Sequence, residues 1–384
     1  MASIKLKGDT SGELTIQAPS VAGTNTLNLP ASSGTLATTA QASIGMKNRI
    51  INGNMTIDQR NAGAAINPAI NNAYSIDRWS TNSNVASKYS VQQDAGAVTP
   101  PAGFTNYLGA TSLSAYTAVS SDSFALVQKI EGYNFADLDF GKATAKTVTL
   151  SFWVRSSLTG TFGGSLTNSP IDRSYPFTYT ISVANTWEKK SVTIAGDTSG
   201  TWLTTNNIGA WLWFGLGMGS TLNGTAGAWA GGNYRSATGA TSVVGTNGAT
   251  FYITGVQLEA GTTATDFENL QYGQQLALCQ RYYWRTTGSS YAAIGSGHVA
   301  SSVEMRICII NPVETRAAGT VSIGGTLRGN TGATTCDITT IYGTWMGKVS
   351  SMVQFLSTGL SVNGGAILHH MNNTTNYLQI DAEL

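Results

Sequence analysis

Short runs of alternating apolar and polar residues recur along this chain and constrain its fold more than any other feature. The clearest run is Thr147–Arg155, in which large apolar side chains occupy every second position: Val148, Leu150, Phe152 and Val154. Successive side chains of a β-strand point to opposite faces, so this spacing places all four on one face. The run therefore predicts a strand with one side packed on a core.

Similar runs, separated by clusters of turn-forming residues, continue through residues 46–265. We predict strands at Arg49–Ile57, Tyr74–Ser80, Phe124–Ile130, Thr147–Arg155, Phe177–Val183, Glu188–Ile194, Trp211–Leu216 and Thr250–Gln257. About eight such strands favour one large antiparallel β-sandwich, a jelly roll of the type found in carbohydrate-binding modules. The longest apolar run, Ile208–Met218, is too short to span a bilayer and is typical of a buried strand pair.

Two further β-rich regions flank this sandwich, which makes the predicted fold class all-β. Residues 1–45 contain hairpins too short to bury a core alone, so this segment needs a partner. Residues 286–384 form a second, C-terminal β-domain, with strands predicted at Val299–Ile309, Gly319–Ile323, Cys336–Ile341, Gly347–Phe355 and Asn376–Ile380. A chain of 384 residues suits this division into two or three domains.

The junction Thr250–Trp284 connects the sandwich to the C-terminal domain. Its strand is expected to end at the Glu259-Ala260-Gly261 turn, and a helix over 266–285 follows. Thr265 and Glu268 have the spacing of a capping box, which would satisfy N–H groups at the start of that helix.

A stripe of four residues follows heptad-like spacing along the predicted helix: Tyr272, Leu276, Cys279 and Tyr283. One interpretation is that the stripe packs on the adjacent sandwich. The other is that three copies of it meet around a threefold axis as an oligomer contact.

Composition narrows the classes of partner. Charged residues are only 11% of the chain, and its 44 glycines accompany abundant Thr, Ser and Asn, as in rigid β-structure with a neutral surface. The net charge is +1 with no basic cluster, so we expect no nucleic-acid partner. We also expect no membrane insertion. The start, MASIKLKGD, lacks the apolar region of a signal peptide, so the protein is expected to stay where it is made.

Few residues have the arrangement that catalysis or metal binding requires. Phosphate-binding, zinc-protease, nucleophile-elbow and calcium-loop motifs do not occur, and we expect no cofactor. Cys279, Cys308 and Cys336 lack the spacing of a zinc site and are expected to be packed thiols. His298 is expected in a loop. The adjacent His369 and His370 would point to opposite faces of a strand, so we expect no metal site within one chain.

A sugar hydrolase would need two carboxylates facing one cleft. The acidic residues considered for that role are Asp77, Asp122, Glu131, Asp137, Asp139, Glu188 and Glu304. Asp137 and Asp139 could share a face, but their context is more typical of a solvated turn. We therefore predict no catalytic residues.

Sugar binding without cleavage needs an aromatic platform beside polar side chains. A glycine-rich loop offers Trp229, Tyr234 and Arg235, although Trp229 also suits a residue that pins the loop to the sandwich. In the C-terminal domain the candidates are Tyr342 and Trp345 near a predicted turn, and Asn372 and Asn373 in another.

Several segments, in order, resemble phage and prophage tail-fibre proteins. They are GDTSGELTIQAPSVAGTNTLNLPASSGTL, KNRIINGNMTIDQRN, YSIDRW, TLSFWVRSSLTGTF, NTWEKKSVTIAGD, the QLE-to-CQRYY junction, VEMRICIINPVETRAAGTVSI and YLQIDAEL. The resemblance covers the whole chain, because these segments extend from the N-terminal region to the last residues.

This resemblance implies a structural, receptor-binding subunit. It implies a homotrimer in the virion tail, assembled in the host cytoplasm, that joins other tail or baseplate proteins through residues 1–45. Its distal C-terminal domain would bind a host surface glycan or lipopolysaccharide without cleaving it. Two alternatives remain open: a polysaccharide-degrading tail spike, and a head or collar fibre or adaptor with no receptor role.

Overall fold

The computed structural model describes residues 3–7, 13–17, 46–68, 73–286, 291–332, 334–362, 364–371 and 375–384. The chain divides into two compact units, Met1–Ser43 and Ile44–Leu384. In the first unit, β1 (Ser3–Lys7) and β2 (Glu13–Gln17) form an antiparallel hairpin. The rest of the predicted attachment segment, 1–45, lies outside the described residues.

The N-terminal strands of the second unit form a β-sandwich and a small pair beside it, and the predicted all-β, jelly-roll class is confirmed. In chain order they are β3 (Tyr74–Ile76), β4 (Trp79–Ser83), β5 (Tyr89–Gln93), β6 (Leu108–Ser112), β7 (Ser123–Glu131), β8 (Val148–Ser156), β9 (Gly160–Asn168), β10 (Arg173–Ile181), β11 (Glu188–Ile194), β12 (Ile208–Met218), β13 (Asn223–Gly224), β14 (Ala230–Gly231), β15 (Ser236–Ala237) and β16 (Thr250–Ala260). Short 3₁₀ helices span Ala95–Ala97, Gly132–Asn134, Ala136–Leu138 and Ser220–Leu222.

The sandwich has a seven-stranded sheet, in the order β14-β10-β9-β12-β7-β4-β3, and a five-stranded sheet, in the order β11-β8-β16-β6-β5. The alternation predicted for Thr147–Arg155 is confirmed, since its four large apolar residues are fully buried between the sheets: Val148, Leu150, Phe152 and Val154. β13 and β15 form a small parallel pair beside the sandwich.

Three strand predictions in the sandwich are wrong. Tyr74–Ser80 is not one strand, because a turn at Asp77 and Arg78 separates β3 from β4. Arg49–Ile57 is a series of turns, because Asn52 and Met55 have left-handed φ angles of 57° and 60°. The Asn52 side chain holds this bend by accepting a hydrogen bond from the Ile57 amide and donating to the Ile57 carbonyl. Ile208–Met218 is one continuous eleven-residue strand, β12, rather than a strand pair.

The helix after the sandwich is shorter than predicted. β16 continues through Ala260, and α1 spans only Tyr272–Gln280 instead of 266–285. Its capping box is formed by Gln271 and Gln274. Thr265 instead donates to the Glu259 carboxylate, which leaves the predicted Thr265–Glu268 box unformed.

The C-terminal strands form two sheets around a core of their own. The strands are β17 (Tyr283–Arg285), β18 (Ala293–Ser301), β19 (Glu304–Ile310), β20 (Thr320–Gly324), β21 (Leu327–Asn330), β22 (Thr335–Ile338), β23 (Gly343–Met346), β24 (Ser350–Leu356), β25 (Gly365–His370) and β26 (Tyr377–Asp381). A seven-stranded sheet has the order β22-β21-β25-β18-β19-β24-β23, and a three-stranded sheet has the order β17-β26-β20. His298 lies in β18, which corrects its prediction as a loop residue.

Buried charges connect the C-terminal strands to the sandwich. Arg60 forms ion pairs with Asp381 at 3.0 Å and with Glu383 at 3.1 Å. Arg78 also pairs with Glu383, and its guanidinium lies 3.6 Å from the centroid of the Tyr282 ring. These contacts fix the C-terminal strands against the sandwich.

Within the part of the chain that the structure describes, no helix has the length and apolarity needed to cross a membrane.

Candidate functional site

The seven-stranded C-terminal sheet buries one face in its core and exposes the other. Inward side chains such as Val299, Ile307 and Val353 are fully buried. On the exposed side, the strand register aligns one residue from each strand in a transverse row: Thr335, Asn330, Ile367, Ser296, Cys308, Met352 and Trp345. At normal strand spacing this row is about 29 Å long. We refer to this row and its immediate neighbours as the outer sheet face.

Two aromatic side chains are exposed at one edge of the outer sheet face. Trp345, on edge strand β23, is 53% exposed, and Tyr342, just before that strand, is 68% exposed. The Arg306 guanidinium lies 5.4 Å from the centroid of the Trp345 ring. Arg306 is itself held by an ion pair with Glu304. This edge therefore presents apolar ring faces beside charged hydrogen-bonding groups.

A recess of about 390 Å³ lies at the other edge of the same face. It is lined by Tyr291, Ala293, Arg328, Asn330, Thr335, Ile367 and His369. The Tyr291 ring is 60% exposed, and its centroid is 5.9 Å from that of His369. The His369 Nδ1 donates to the His370 carbonyl at 2.8 Å, which fixes the orientation of the imidazole.

The outer sheet face has side chains of the kinds that can bind a carbohydrate. Aromatic rings can stack on the apolar face of a sugar, and Arg, Asn and Thr side chains can bond its hydroxyls. The row also exposes three large apolar side chains among its polar ones, Ile367, Met352 and Trp345. Ligand contacts spread along this row would suit an extended polymer.

The predicted loop site is folded onto the sandwich. The Trp229 ring packs against Phe140, Tyr175 and Trp202 at centroid distances of 5.3–5.9 Å, and its Nε1 donates to the Ala195 carbonyl. These contacts are those of a residue that pins the loop. They leave less of the ring for a ligand than Trp345 offers.

Tyr234 and Arg235, which lie in the same loop as Trp229, also contact the sandwich. The Tyr234 amide donates to Ser174 Oγ at 3.3 Å. The Arg235 guanidinium lies 4.9 Å from the Trp213 centroid and donates to Asn82 Oδ1 at 3.2 Å. Burial lowers the pKa of Arg235.

The other predicted ligand residues, Asn372 and Asn373, lie outside the described residues. Sequence reasoning did not propose Tyr291 and Arg328, and it considered His369 only as a metal ligand. These three residues come from distant parts of the chain and meet through strand pairing, so no local motif connects them.

The stripe proposed as an oligomer contact does not form one helical face. Cys279 is fully buried with Ile51 and Tyr282, and Tyr283 is buried in β17 rather than in the helix. Neither side chain is at the surface, which corrects that part of the prediction. Tyr272 is 63% exposed and Leu276 is half-buried, and their contact with other copies stays a prediction.

The cysteines differ from one another. All three are free; Cys279 and Cys336 are buried as expected, but Cys308 is exposed on the outer sheet face. Across the described ranges, no cluster of three or more His, Cys, Asp or Glu residues has the geometry to hold a metal ion.

The carboxylates considered for hydrolysis are each held by protein groups. Asp137 pairs with Arg49 and Asp139 with Lys142, both at 2.7 Å, and both residues lie in the turn region that was expected. The remaining ones accept bonds from neighbouring residues, namely Asp77 from Gln59, Asp122 from Tyr116, Glu131 from Arg281, Glu188 from Lys190 and Glu304 from Arg306.

No protein-family model matches the sequence. No curated protein matches it either.

Several solved structures match parts of the chain. The enzymatically active domain of bacteriophage CBA120 tailspike protein 4 is 12% identical over 48% of this chain and 19% of its own, with a TM-score of 0.28. A family 11 carbohydrate-binding module from Clostridium thermocellum is 12% identical over 52% of this chain and 98% of its own, with a TM-score of 0.27. The arabinose-bound MgGH51 α-L-arabinofuranosidase is 12% identical over 54% of this chain and 26% of its own, with a TM-score of 0.31.

The chain therefore spans less than a third of the tailspike domain and of the arabinofuranosidase. At TM-scores this low, these comparisons assign neither a ligand nor an activity to the protein.

Proposed function

We propose that the protein is a non-enzymatic, receptor-binding subunit of a phage tail fibre that attaches to host surface glycans through the outer sheet face. The observation that carries this proposal is the exposure of Trp345 beside Arg306, with Tyr342 exposed just before the same strand. Large aromatic side chains half-exposed next to a guanidinium are the elements of a sugar platform. The sequence resemblance to tail fibres supplies the biological context.

The mechanism is attachment by many weak contacts. A single sugar stacked on Trp345 would bind weakly, because a small ligand buries little area and binding costs rotational freedom. Linking several such faces in one particle raises the effective concentration of the second and later contacts. A homotrimer joined to other tail proteins through residues 1–45 would present three faces per fibre.

Point substitutions at the platform test this proposal. We expect Trp345→Ala to weaken binding of the purified protein to cells of the phage's host about tenfold, equal to about 1.4 kcal/mol. Tyr342→Ala should have a smaller effect in the same direction. The matched control is Tyr133→Ala, which removes a 59% exposed aromatic from the sandwich. Equal binding by the wild-type protein and both platform variants would refute the assignment.

Deleting residues 286–384 is a less informative test. The deletion removes Asp381 and Glu383, the acidic partners of Arg60 and Arg78 in the sandwich. Unpaired buried charges would destabilise the remaining chain and obscure the cause of lost binding.

The alternative of a polysaccharide-degrading spike has its own measurement. The protein is incubated with host polysaccharide, and reducing ends are counted over time. We expect no increase over a buffer control, while a steady increase would favour the enzyme.

A further inference from the structure

A second aromatic groove lies on the sandwich, on the outer side of the five-stranded sheet. One recess of about 370 Å³ is lined by Ala102, Gly103, Phe104, Ser151, Trp153, Lys189, Gly255, Thr265, Asp266, Phe267 and Asn269. An adjoining recess of about 240 Å³ shares Gly103, Phe104 and Asn269 with it and extends to Tyr272. The shared residues make the two recesses one continuous groove, which we call the sandwich groove.

Trp153 provides an aromatic surface in the sandwich groove. It points outward from β8, opposite Lys189 on β11 and Thr254 on β16. The ring is half-buried, so part of it is open to the recess. An aromatic ring fixed on a central strand of a sheet is a rigid platform, and rigidity lowers the entropic cost of binding.

Two phenylalanines form an adjacent wall of the groove. Phe104 and Phe267 meet edge to face at a centroid distance of 5.2 Å. Phe104 packs directly over Gly255, where an added Cβ would lie 2.5 Å from its Cζ. Gly255 has a φ of 62° at the bulge in β16, so backbone geometry positions this wall.

The two charged side chains that line the groove are opposite in charge. Lys189 and Asp266 are both exposed. Among the residues that the structure describes, neither side chain forms an ion pair or a hydrogen bond. One supplies ammonium donors and the other carboxylate acceptors, and Asn269 adds both kinds of group. Lys189 and Asp266 are the two charged residues of the lining, so the lining itself carries no net charge, while the Lys47 ammonium lies beside it and donates to the Asp266 backbone carbonyl.

We propose that the sandwich groove binds a neutral oligosaccharide, with one pyranose ring stacked on Trp153. Hydroxyls of that sugar bond to Lys189 and Asp266, and the chain continues past Asn269 towards Tyr272. This site is separate from the outer sheet face, so it gives each subunit two independent glycan contacts. A lining without net charge offers no excess of cations, which a site selective for uronic acids or sulfated sugars would need.

In the test, the full-length protein is titrated with four oligosaccharides and the heat of binding is measured. The four are cellohexaose, maltohexaose, a β-1,4-linked galactohexaose and the acidic hexagalacturonate. At least one neutral hexamer should bind, and more tightly than hexagalacturonate. We expect Trp153→Ala to weaken that binding at least about tenfold and Asp266→Ala several-fold, as for lost stacking and lost charge-assisted hydrogen bonds.

Two controls separate this proposal from the preceding one. Tyr133→Ala should bind like the wild-type protein, and so should Trp345→Ala, whose side chain lies on the outer sheet face. Asp266 is exposed, so its substitution leaves the fold intact even if Trp153→Ala does not. Absence of binding by every neutral hexamer, tighter binding of hexagalacturonate, or unchanged affinity in Asp266→Ala and Trp153→Ala would overturn the proposal.

Discussion

Individual tryptophans of this chain show how environment decides the role of a residue. Trp345, near a predicted turn, and Trp229, in a glycine-rich loop, were both candidates for sugar stacking. Trp229 is covered by three aromatic neighbours, whereas Trp345 remains half-exposed beside Arg306. Sequence could name both residues but could not rank them, because the neighbours of Trp229 come from distant strands.

Asp77 is a buried carboxylate with an unusual titration. Burial raises its pKa from near 3.8 to about 7, although hydrogen bonds from Gln59 and the charge of Arg60 partly oppose this. The folded state therefore holds the proton between about pH 4 and 7, while the unfolded chain releases it. A carboxyl with a raised pKa stabilises the fold at low pH, and that contribution is lost as pH rises.

Comparison of the wild-type protein with Asp77→Asn tests this titration. The wild-type free energy of unfolding should fall relative to that of the variant as pH rises from 4 to 7. The expected change is on the order of a few kcal/mol, because each pKa unit corresponds to about 1.4 kcal/mol. Urea unfolding at several pH values measures it. Parallel pH profiles for the two proteins would show that Asp77 does not titrate in this way.

At the scale of elements, the short helix α1 can be strengthened. Gly273 lies in its first turn, and a Cβ added there would meet nothing within 4 Å. We expect Gly273→Ala to stabilise the protein by about 0.5–1 kcal/mol, since glycine loses more backbone entropy in a helix than alanine does. Thermal unfolding measures the shift, and a lower midpoint would contradict the helix assignment.

A glycine-to-alanine substitution at the bulge in β16 should lower the stability of the protein rather than raise it. Gly255→Ala places a Cβ against Phe104 at a backbone angle that side chains rarely adopt. We expect a loss of about 1–3 kcal/mol in unfolding free energy. The matched control is Gly231→Ala, which has open space around it and should change stability by less than about 0.5 kcal/mol. Equal stability of the two variants would refute the argument.

Prediction of elements from sequence succeeded where apolar alternation was regular. Glu188–Ile194 was found with its observed bounds, and Thr147–Arg155 within one residue. Arg49–Ile57 was misassigned because its alternation is interrupted by left-handed residues that sequence alone did not reveal. The helix was overextended because Thr265 and Glu268 matched a capping motif, yet tertiary contacts with Glu259 and Asn48 use both side chains.

At the scale of the whole molecule, buried ion pairs join the C-terminal strands to the sandwich. The side chains of Arg78 and Glu383 are 1% and 5% exposed, so neither charge has water as an alternative partner. Removing one member of such a pair leaves the other charge buried and uncompensated. The joint between the two parts should therefore depend on this contact.

Glu383→Ala tests the joint. We expect a loss of about 3–5 kcal/mol in unfolding free energy, because Arg60 and Arg78 both lose a carboxylate. The control is Glu314→Ala, whose exposed carboxylate is 4.0 Å from Lys348 and should contribute less than about 1 kcal/mol. Urea unfolding of both variants provides the comparison. Similar stabilities would show that the ion pairs do not hold the joint.

The candidate surfaces also belong to this scale. The outer sheet face combines residues from seven strands, and the sandwich groove combines a loop, three strands and the segment before α1. The sequence identified Tyr342 and Trp345 individually. The row of side chains that separates them from Tyr291 forms only because strands from distant parts of the chain pair with one another. The predicted homotrimer is likewise a property of the assembly, and light scattering would detect it as three times the 40.1 kDa chain mass.

The most direct measurement of the central claim is equilibrium binding of the purified protein to surface polysaccharide from a host of the proposed phage. Wild-type protein, Trp345→Ala and Tyr133→Ala are compared at equal concentrations. We predict saturable binding by the wild-type protein and by Tyr133→Ala, and an affinity about tenfold lower for Trp345→Ala. Failure of the wild-type protein to bind, or equal affinity in all three, would contradict a glycan-binding role for the outer sheet face.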